Sequence, residues 1–453
     1  MEPLLNLNIV QGPLLFAFYA ASLLAVLYLL VRSVVLPPAL RPSKGGPVQR
    51  SRPKLPRPTA WLISVTVAVV GGAVIGAVTL YVCEKVLDVF GIPLDPDTRV
   101  WVVAAFAGVA LALVNLWRSR WWRKTVAVVA VALFITTATL GINAGYGLNS
   151  TLGSLLNLNP VHHLALPKLN PALQQSSAAA LWQNWTAPAG MPTVGRTGTV
   201  AIPAVASGFP ARDAYLYLPP AALVDNPPPL PVLVMMMGQP GGPEQSQLAV
   251  QELDAMAKQH QGLGPIVLTV DQLGSPYQNP LCVDSPKGNV GTYVTVDVVN
   301  YIHKNLNMAT DRARWAVGGY SNGGECALSF GAKRPDLFGS ILDISGELEP
   351  RDGSIANTVS KVFAGNQAAF DAEKPANILK AHKYKDELAI FTSGSLDRTY
   401  TPQAVKAQAD AKAAGMSTLR FTGTGVGHRG DAVQYGVKAG LPLLYKRFGL
   451  SAP

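Results

Sequence analysis

A serine, an aspartate and a histidine occur in this chain in an order that supports acyl chemistry. Ser321 lies in Gly319-Tyr-Ser-Asn-Gly-Gly324, a Gly-x-Ser-x-Gly pattern. Taken bare, the pattern is a weak signal, since a chain with 42 glycines supplies about 0.2 such matches by chance. Its setting gives it weight. Arg314–Gly318 reads as a strand and Glu325–Lys333 as a helix, so the serine stands on a strand-to-helix turn. Glycines there remove side chains that would clash in a strained turn, and they expose the hydroxyl above a sheet with a helix N-terminus behind it. An ordinary glycine-rich turn is the alternative, and Ser321 is the expected nucleophile.

A serine hydroxyl needs a general base, and the base needs an orienting carboxylate. In hydrolases with this kind of turn the chain order is nucleophile, acid, histidine. Two histidines follow Ser321. His382 sits in the basic stretch Ala381-His-Lys-Tyr-Lys385, which reads as solvated. His428 sits in the glycine-rich run Gly423-Thr-Gly-Val-Gly-His-Arg-Gly430, where a loop can lay an imidazole over the turn, so it is the expected base. Asp397 stands just past the strand ending Phe391-Thr392 and is the expected acid, with Asp343 and Glu347 as competitors. The oxyanion donors are expected after the strand Val232–Met237, at Gly238 or Gln239, with a second from the N–H of Asn322. Pro240 has no N–H to offer.

These residues require a scaffold of alternating elements. Strands are expected at Thr199–Val205, Ala214–Leu218, Pro231–Met237, Pro265–Asp271, Arg314–Gly318, Ser340–Ile344, Glu387–Thr392 and Ser417–Thr422. Helices are expected near Gln245–His260, Thr292–Leu306, Gly323–Lys333, Pro402–Ala414 and Val433–Phe448. The strands after Pro231 are almost continuously apolar, as when helices cover both faces of a mostly parallel sheet. Glu349–Lys383 breaks the alternation and is expected to cap the active edge.

The N-terminal third is of another kind. Leu14–Val31, Ala60–Val82, Val100–Trp117 and Val126–Gly141 are apolar runs with charge-free interiors, each about long enough to cross a hydrocarbon core of roughly 30 Å. Gly71, Gly72 and Gly76 suit close helix–helix approach. Arg32, Arg41, Lys44, Arg50, Arg52, Lys54 and Arg57 separate the first two runs, and Arg118, Arg120, Arg123 and Lys124 the last two, with no acid in either loop. The middle loop carries Glu84, Asp88, Asp95 and Asp97. The positive-inside rule then makes both basic loops cytoplasmic and both termini extracytoplasmic. Trp117, Trp121 and Trp122 fit an interfacial cluster. The first run has no basic segment before it and reads as an uncleaved helix rather than a signal peptide.

Charge follows the same division. Residues 1–145 hold 13 Lys/Arg and 5 Asp/Glu, whereas residues 146–453 hold 24 and 22. The basicity of the chain (net +10) is therefore local, and a nucleic-acid surface on the large domain is not expected. At 49% apolar and 14% charged the chain is not intrinsically disordered. Three cysteines show no zinc spacing, so neither a metal nor another cofactor is expected. The resulting plan is a four-helix transmembrane domain over 1–146, a juxtamembrane linker over 147–195 and an α/β domain over 196–453. The linker is rich in Asn, Leu, Pro and Ala without a sustained period, and within it only Ser176–Trp185 could form a short helix. The adjacent His162 and His163 read as interfacial or structural.

With those motifs in place, residues from about 198 to 449 resemble the putative-esterase branch of the α/β-hydrolases, which holds S-formylglutathione-hydrolase-type esterases and actinobacterial mycolyltransferases. Leu230-Pro-Val-Leu-Val-Met-Met-Met-Gly-Gln-Pro-Gly241 and Trp315-Ala-Val-Gly-Gly-Tyr-Ser-Asn-Gly-Gly-Glu-Cys326 are especially similar to membrane-anchored actinobacterial members, in which several helices precede an outward-facing esterase domain. The resemblance implies an α/β-hydrolase fold, Ser321 as nucleophile, His428 as base and the Gly238–Gln239 region as oxyanion hole. It places the acid of the mycolyltransferases further along, where Asp410 is the nearest carboxylate; Asp397 remains the expected acid.

Cys282 and Cys326 are candidates for a disulfide bracing the helix after Ser321, since an extracytoplasmic domain is oxidised, with two buried thiols as the alternative. The expected activity is cleavage of ester bonds at the outer membrane surface, on a lipid or other acyl-ester substrate. Hydrolysis of an aminoacyl ester on a phospholipid headgroup is one form. Acyl transfer to a sugar of the cell envelope is another, and a non-catalytic membrane sensor or scaffold is the reading from a different class.

Overall fold

The computed structural model describes residues 2–5, 7–10, 12–31, 57–87, 89, 94–117, 119–149, 151–156, 158, 163–167, 180–276 and 278–452. Arg32, Arg41, Lys44, Arg50, Arg52 and Lys54 of the first basic loop lie outside the described residues, as do Arg118, Asp88, His162 and residues 176–179. The chain divides into two compact units, Met1–Tyr146 with Thr151–Leu155, and Gly147–Ser150 with Leu156–Pro453.

Four helices of the first unit are long and apolar enough to cross a membrane: α1 (Pro13–Leu30), α2 (Arg57–Tyr81), α3 (Pro96–Val114) and α4 (Trp121–Tyr146). A π-helical turn, Val82–Val86, continues α2. Small residues set the packing. A Cβ on Gly72 would fall 2.6 Å from the Phe106 carbonyl oxygen, and one on Gly141 would fall 2.4 Å from the Trp101 ring, whereas Gly71 faces open space. The Ser22 and Thr137 hydroxyls meet at 2.8 Å between α1 and α4. Arg123 donates to the Leu29 and Tyr28 carbonyls at the end of α1, at 2.8 and 3.1 Å, and so satisfies orphan acceptors of that terminus. Glu84, on the π turn, binds Arg99 of α3 through both carboxylate oxygens, at 2.9 and 3.0 Å.

The second unit is built on one sheet of eight strands: β1 (Arg196–Val200), β2 (Ala214–Leu218), β3 (Val232–Met236), β4 (Ile266–Val270), β5 (Trp315–Tyr320), β6 (Ser340–Ile344), β7 (Leu388–Gly394) and β8 (Ser417–Gly423). Their order across the sheet is β1-β2-β4-β3-β5-β6-β7-β8. β1 and β2 are antiparallel to their neighbours and the other strands run parallel. Every residue of β2, β3, β4, β5 and β6 is buried, because helices lie on both faces. The main helices are α5 (Val250–Gln259), α6 (Val298–Asn305), α7 (Asn322–Lys333), α8 (Ile355–Val362), α9 (Gln367–Ala372), α10 (Pro375–Ala381), α11 (Tyr400–Ala413) and α12 (Gly430–Phe448). Gly449 ends α12 in the left-handed conformation (φ 69°), and Leu450 then closes the turn onto the Tyr445 carbonyl.

Three expectations shift. The first strand is Arg196–Val200 rather than Thr199–Val205, since Pro203 cannot donate to a ladder. The capping segment 349–383 is divided. α8 packs through Val362 on Leu281 and Val283, whereas α10 joins the helical layer beside α7 and α11. The described parts of 147–195 do not hang free as a tether. Leu164 donates its N–H to the Thr199 carbonyl, Trp182 donates to that of Gly449, Leu164 and Leu166 pack on the main core, and two short helices, Leu152–Leu155 and Leu181–Asn184, form among its described residues.

Candidate active site

Ser321 sits between β5 and α7 with φ 56° and ψ −118°, a conformation that costs a non-glycine residue about 1–3 kcal/mol. The turn leaves no room around it. A Cβ on Gly319 would fall 2.0 Å from the Gly323 carbonyl oxygen, and one on Gly323 would fall 2.2 Å from that of Met236. The two glycines of the pattern are thus required by backbone approach, and the Ser321 N–H is tied to the Ile344 carbonyl at 2.9 Å.

The loop after β8 brings His428 over this turn. Its Nε2 lies 2.9 Å from the Ser321 Oγ and its Nδ1 lies 2.8 Å from the Asp397 Oδ2. Asp397 stands three residues beyond β7 and is buried, and its Oδ1 accepts the Tyr400 N–H at 2.9 Å. Burial pushes this carboxyl up, but the hydrogen bond and charge of His428 and the Tyr400 N–H outweigh it, so it titrates below the ordinary aspartate value. An ionised carboxylate only accepts hydrogen bonds, so Nδ1 carries the proton and Nε2 is left to accept one from Ser321. The imidazole is clasped between two rings. Tyr400 stacks on it at 3.9 Å, and Tyr320 lies 5.0 Å away at a tilt.

The competing residues lie elsewhere. Asp343 is buried behind the turn, where its Oδ1 accepts the Gly346 N–H at 2.7 Å and burial raises its carboxyl to about 7. Glu347 is also raised to about 7, by burial first, opposed by the Arg351 charge. Asp410 pairs with Lys406 one turn away on α11 at 2.7 Å, and His382 is exposed against Tyr384. His163 is 3.8 Å from Asp213, 61% exposed.

Gly238, two residues beyond β3, lies against Ser321, since a Cβ there would fall 3.2 Å from that of the serine. Gln239 and Pro240 follow, joined by a cis peptide. Arg212 holds the far side of this loop, donating to the Gly241 carbonyl at 3.0 Å and bidentately to the buried Asp271. Asn322 is the first residue of α7, where a backbone N–H has no intrahelical acceptor. Cys282 and Cys326 are joined as a disulfide with Cα atoms 5.2 Å apart, which links the loop before α6 to the second turn of α7. Among the described residues the one His/Cys/Asp/Glu grouping with metal-like spacing is Cys282, Glu325 and Cys326, and the disulfide occupies both of its sulfurs. Tyr400, Arg212, Gln272 and Asn279, which line or brace the site, carry no motif. Only the three-residue spacing of Tyr400 from Asp397 was a usable signal.

The strand order, together with a serine on the turn after the fifth strand, defines an α/β-hydrolase fold. The chain belongs to the serine-hydrolase family described as "Putative esterase", whose profile matches residues 211–438. An uncharacterized protein of Corynebacterium glutamicum is 35% identical over 405 residues, covering 84% of this chain and 89% of that one. That extent exceeds the second unit, so the similarity reaches into the first. Among solved structures the chain is similar to a ferulic acid esterase (17% identity, 56% of this chain and 98% of that one, TM-score 0.48). It is also similar to an S-formylglutathione hydrolase from Agrobacterium tumefaciens (16% identity, 57% and 97%, TM-score 0.46).

Proposed function

We propose that this chain is a membrane-tethered serine esterase acting outside the cytoplasm on esters carried by membrane lipids. The observation that carries the reading is the continuous relay from Ser321 Oγ through His428 to Asp397, with both contacts at 2.9 Å or less. In the first step the Ser321 Oγ attacks the ester carbonyl carbon while its proton passes to the His428 Nε2. Negative charge gathers on the carbonyl oxygen, where the N–H groups of Asn322 and of Gly238 or Gln239 receive it. The intermediate collapses to an acyl-serine, and the departing alcohol takes the proton from His428. Water, deprotonated by the same imidazole, then releases the acid and restores the serine.

Support for the location comes from the four apolar helices and from the acid-free basic loops, which the positive-inside rule assigns to the cytoplasm. A tethered site raises the effective concentration of substrates confined to the same surface. An aminoacyl ester on a phosphatidylglycerol headgroup is a substrate of this kind. Acyl transfer to a sugar would use the same acyl-serine with a different acceptor, and the resemblance to mycolyltransferases favours it as the second reading.

The test has two arms. A fluorophosphonate should label the full-length protein at Ser321, and Ser321→Ala should abolish the labelling; persistent labelling would sink the nucleophile. Lipidomics of a Ser321→Ala strain against its parent should then show an ester-bearing lipid accumulating. Loss of an acylated sugar instead would favour transfer.

A further inference from the structure

An oxyanion hole built from two chain segments works only if those segments hold a fixed distance, and three buried side-chain amides join them here. Gln272, two residues beyond β4, donates its Nε2 both to the Met237 carbonyl and, at 3.1 Å, to the Asn322 Oδ1. The Asn322 Nδ2 donates to the Asn279 Oδ1 at 3.4 Å, and the Asn279 Nδ2 donates to the Arg351 carbonyl at 2.7 Å. Gln272, Asn322 and Asn279 are 3%, 2% and 5% exposed. We propose that Gln272 and Asn279, acting through the Asn322 side chain, are positioning residues that set the geometry of the oxyanion hole. The inference rests on the assignment of that hole under Proposed function and goes beyond it in naming what holds it.

Peptide planarity supplies the mechanism. The Met237 carbonyl and the Gly238 N–H belong to one trans peptide unit and point in opposite directions. Fixing the carbonyl with Gln272 therefore aims the N–H to the other side of the chain. The same Gln272 amide grips Asn322, whose backbone supplies the second donor. Gln272 starts the series as a donor, and Asn322 and Asn279 each accept with the oxygen and donate with the nitrogen, so the bonds polarise one another in a single direction. Asn279 also accepts the Leu281 N–H at 3.0 Å, and the Cys282–Cys326 disulfide lies beside it, so the far end of the series is anchored. An apolar side chain of the same size at Gln272 would leave the Met237 carbonyl and the Asn322 oxygen buried without a donor.

The reacting oxygen carries its charge in the transition state, so a displaced hole lowers kcat and leaves KM in place. The decisive variant is Gln272→Glu, which keeps the size and removes the amide donor. In full-length protein in detergent micelles, acting on a chromogenic ester, kcat should fall by about tenfold to a hundredfold, as for a displacement near 1 Å, with KM within about twofold. Affinity for a trifluoromethyl ketone, whose adduct with Ser321 carries an oxyanion, should fall by the same factor. Asn279→Ala should shift the same three quantities in the same direction, and it decides the matter if the Gln272 variant does not fold. Wild-type kcat in a folded variant, or a rise in KM with unchanged ketone affinity, overturns the proposal. A wild-type protein without Ser321-dependent hydrolysis would instead refute the underlying assignment, and the Ser321→Ala control identifies that case.

Discussion

The Tyr400 ring stacks on the His428 imidazole with 3.9 Å between centroids and 18° between planes, while the Tyr400 N–H holds the Asp397 carboxylate. One residue thus sets both the tilt of the imidazole and the place of the carboxylate. Tyr400→Phe keeps the ring and the N–H and should hydrolyse esters at close to the wild-type rate. Tyr400→Ala frees the imidazole to rotate and should lower kcat by about tenfold or more, as expected when a reacting group loses its orientation. Steady-state kinetics on both variants check this, and equal rates would dismiss the stack as packing.

Assignment of the acid gives a sharper contrast. Asp397→Asn should lower kcat by roughly a thousandfold to ten-thousandfold, because the amide favours the wrong imidazole tautomer. Asp410→Asn only breaks an i,i+4 pair with Lys406 and should leave turnover intact. A dead Asp410 variant beside an active Asp397 variant would reverse the assignment.

Glu325 makes a prediction in pH. It lies fully buried on α7, bonded by the Ser329 hydroxyl at 2.8 Å, and burial raises its carboxyl to about 8. A group raised on folding binds its proton more tightly in the native state. Its contribution to stability is therefore complete below the ordinary carboxylate range and is lost as pH rises toward about 8. Glu325→Gln cannot ionise, so it should gain stability relative to wild type between about pH 5 and pH 8. Thermal unfolding of both proteins across that range would show curves that converge on acidification. Parallel curves would mean that Glu325 is ionised in place.

Topology can be read with a reporter that fluoresces only in the cytoplasm. It should stay dark when fused after Pro453 and be bright when fused, in truncated chains, within residues 41–57. The reverse pattern would contradict the loop-charge argument and would also place Cys282 and Cys326 in a reducing compartment.

Much of this architecture could be read from residue order. Each of the eight strands has a counterpart in the expected set, because buried parallel strands need unbroken apolar runs and Gly-x-Ser-x-Gly needs a strand before it and a helix after it. The structure brings His428 and Asp397 to Ser321, and they are legible as candidates because the chemistry restricts which residue types may stand past strand ends. Gln272 and Asn279 could not. Neutral amides occur throughout the surface, and nothing local distinguishes one that spans two loops. The packing of Leu164 and Leu166 and the backbone bond from Trp182 to Gly449 are hidden in the sequence for a related reason: single contacts from an aperiodic segment leave no repeat to detect. Helix Gln245–His260 begins as a 3-10 turn at Pro243–Ala249, a boundary that apolar periodicity does not resolve.

The bonds between α1 and α4 have a bearing on how the chain is made. Ser22 and Thr137 are 115 residues apart, and Leu29 and Arg123 are 94 apart. At roughly 5–20 residues per second of synthesis, α1 exists for on the order of 5–20 s before its partner has emerged. During that interval its terminal carbonyls must be served by headgroups, water or the insertion machinery. Slowing translation between residues 31 and 121 would lengthen the unpartnered period, and the cell's membrane quality control would meet the nascent bundle there first.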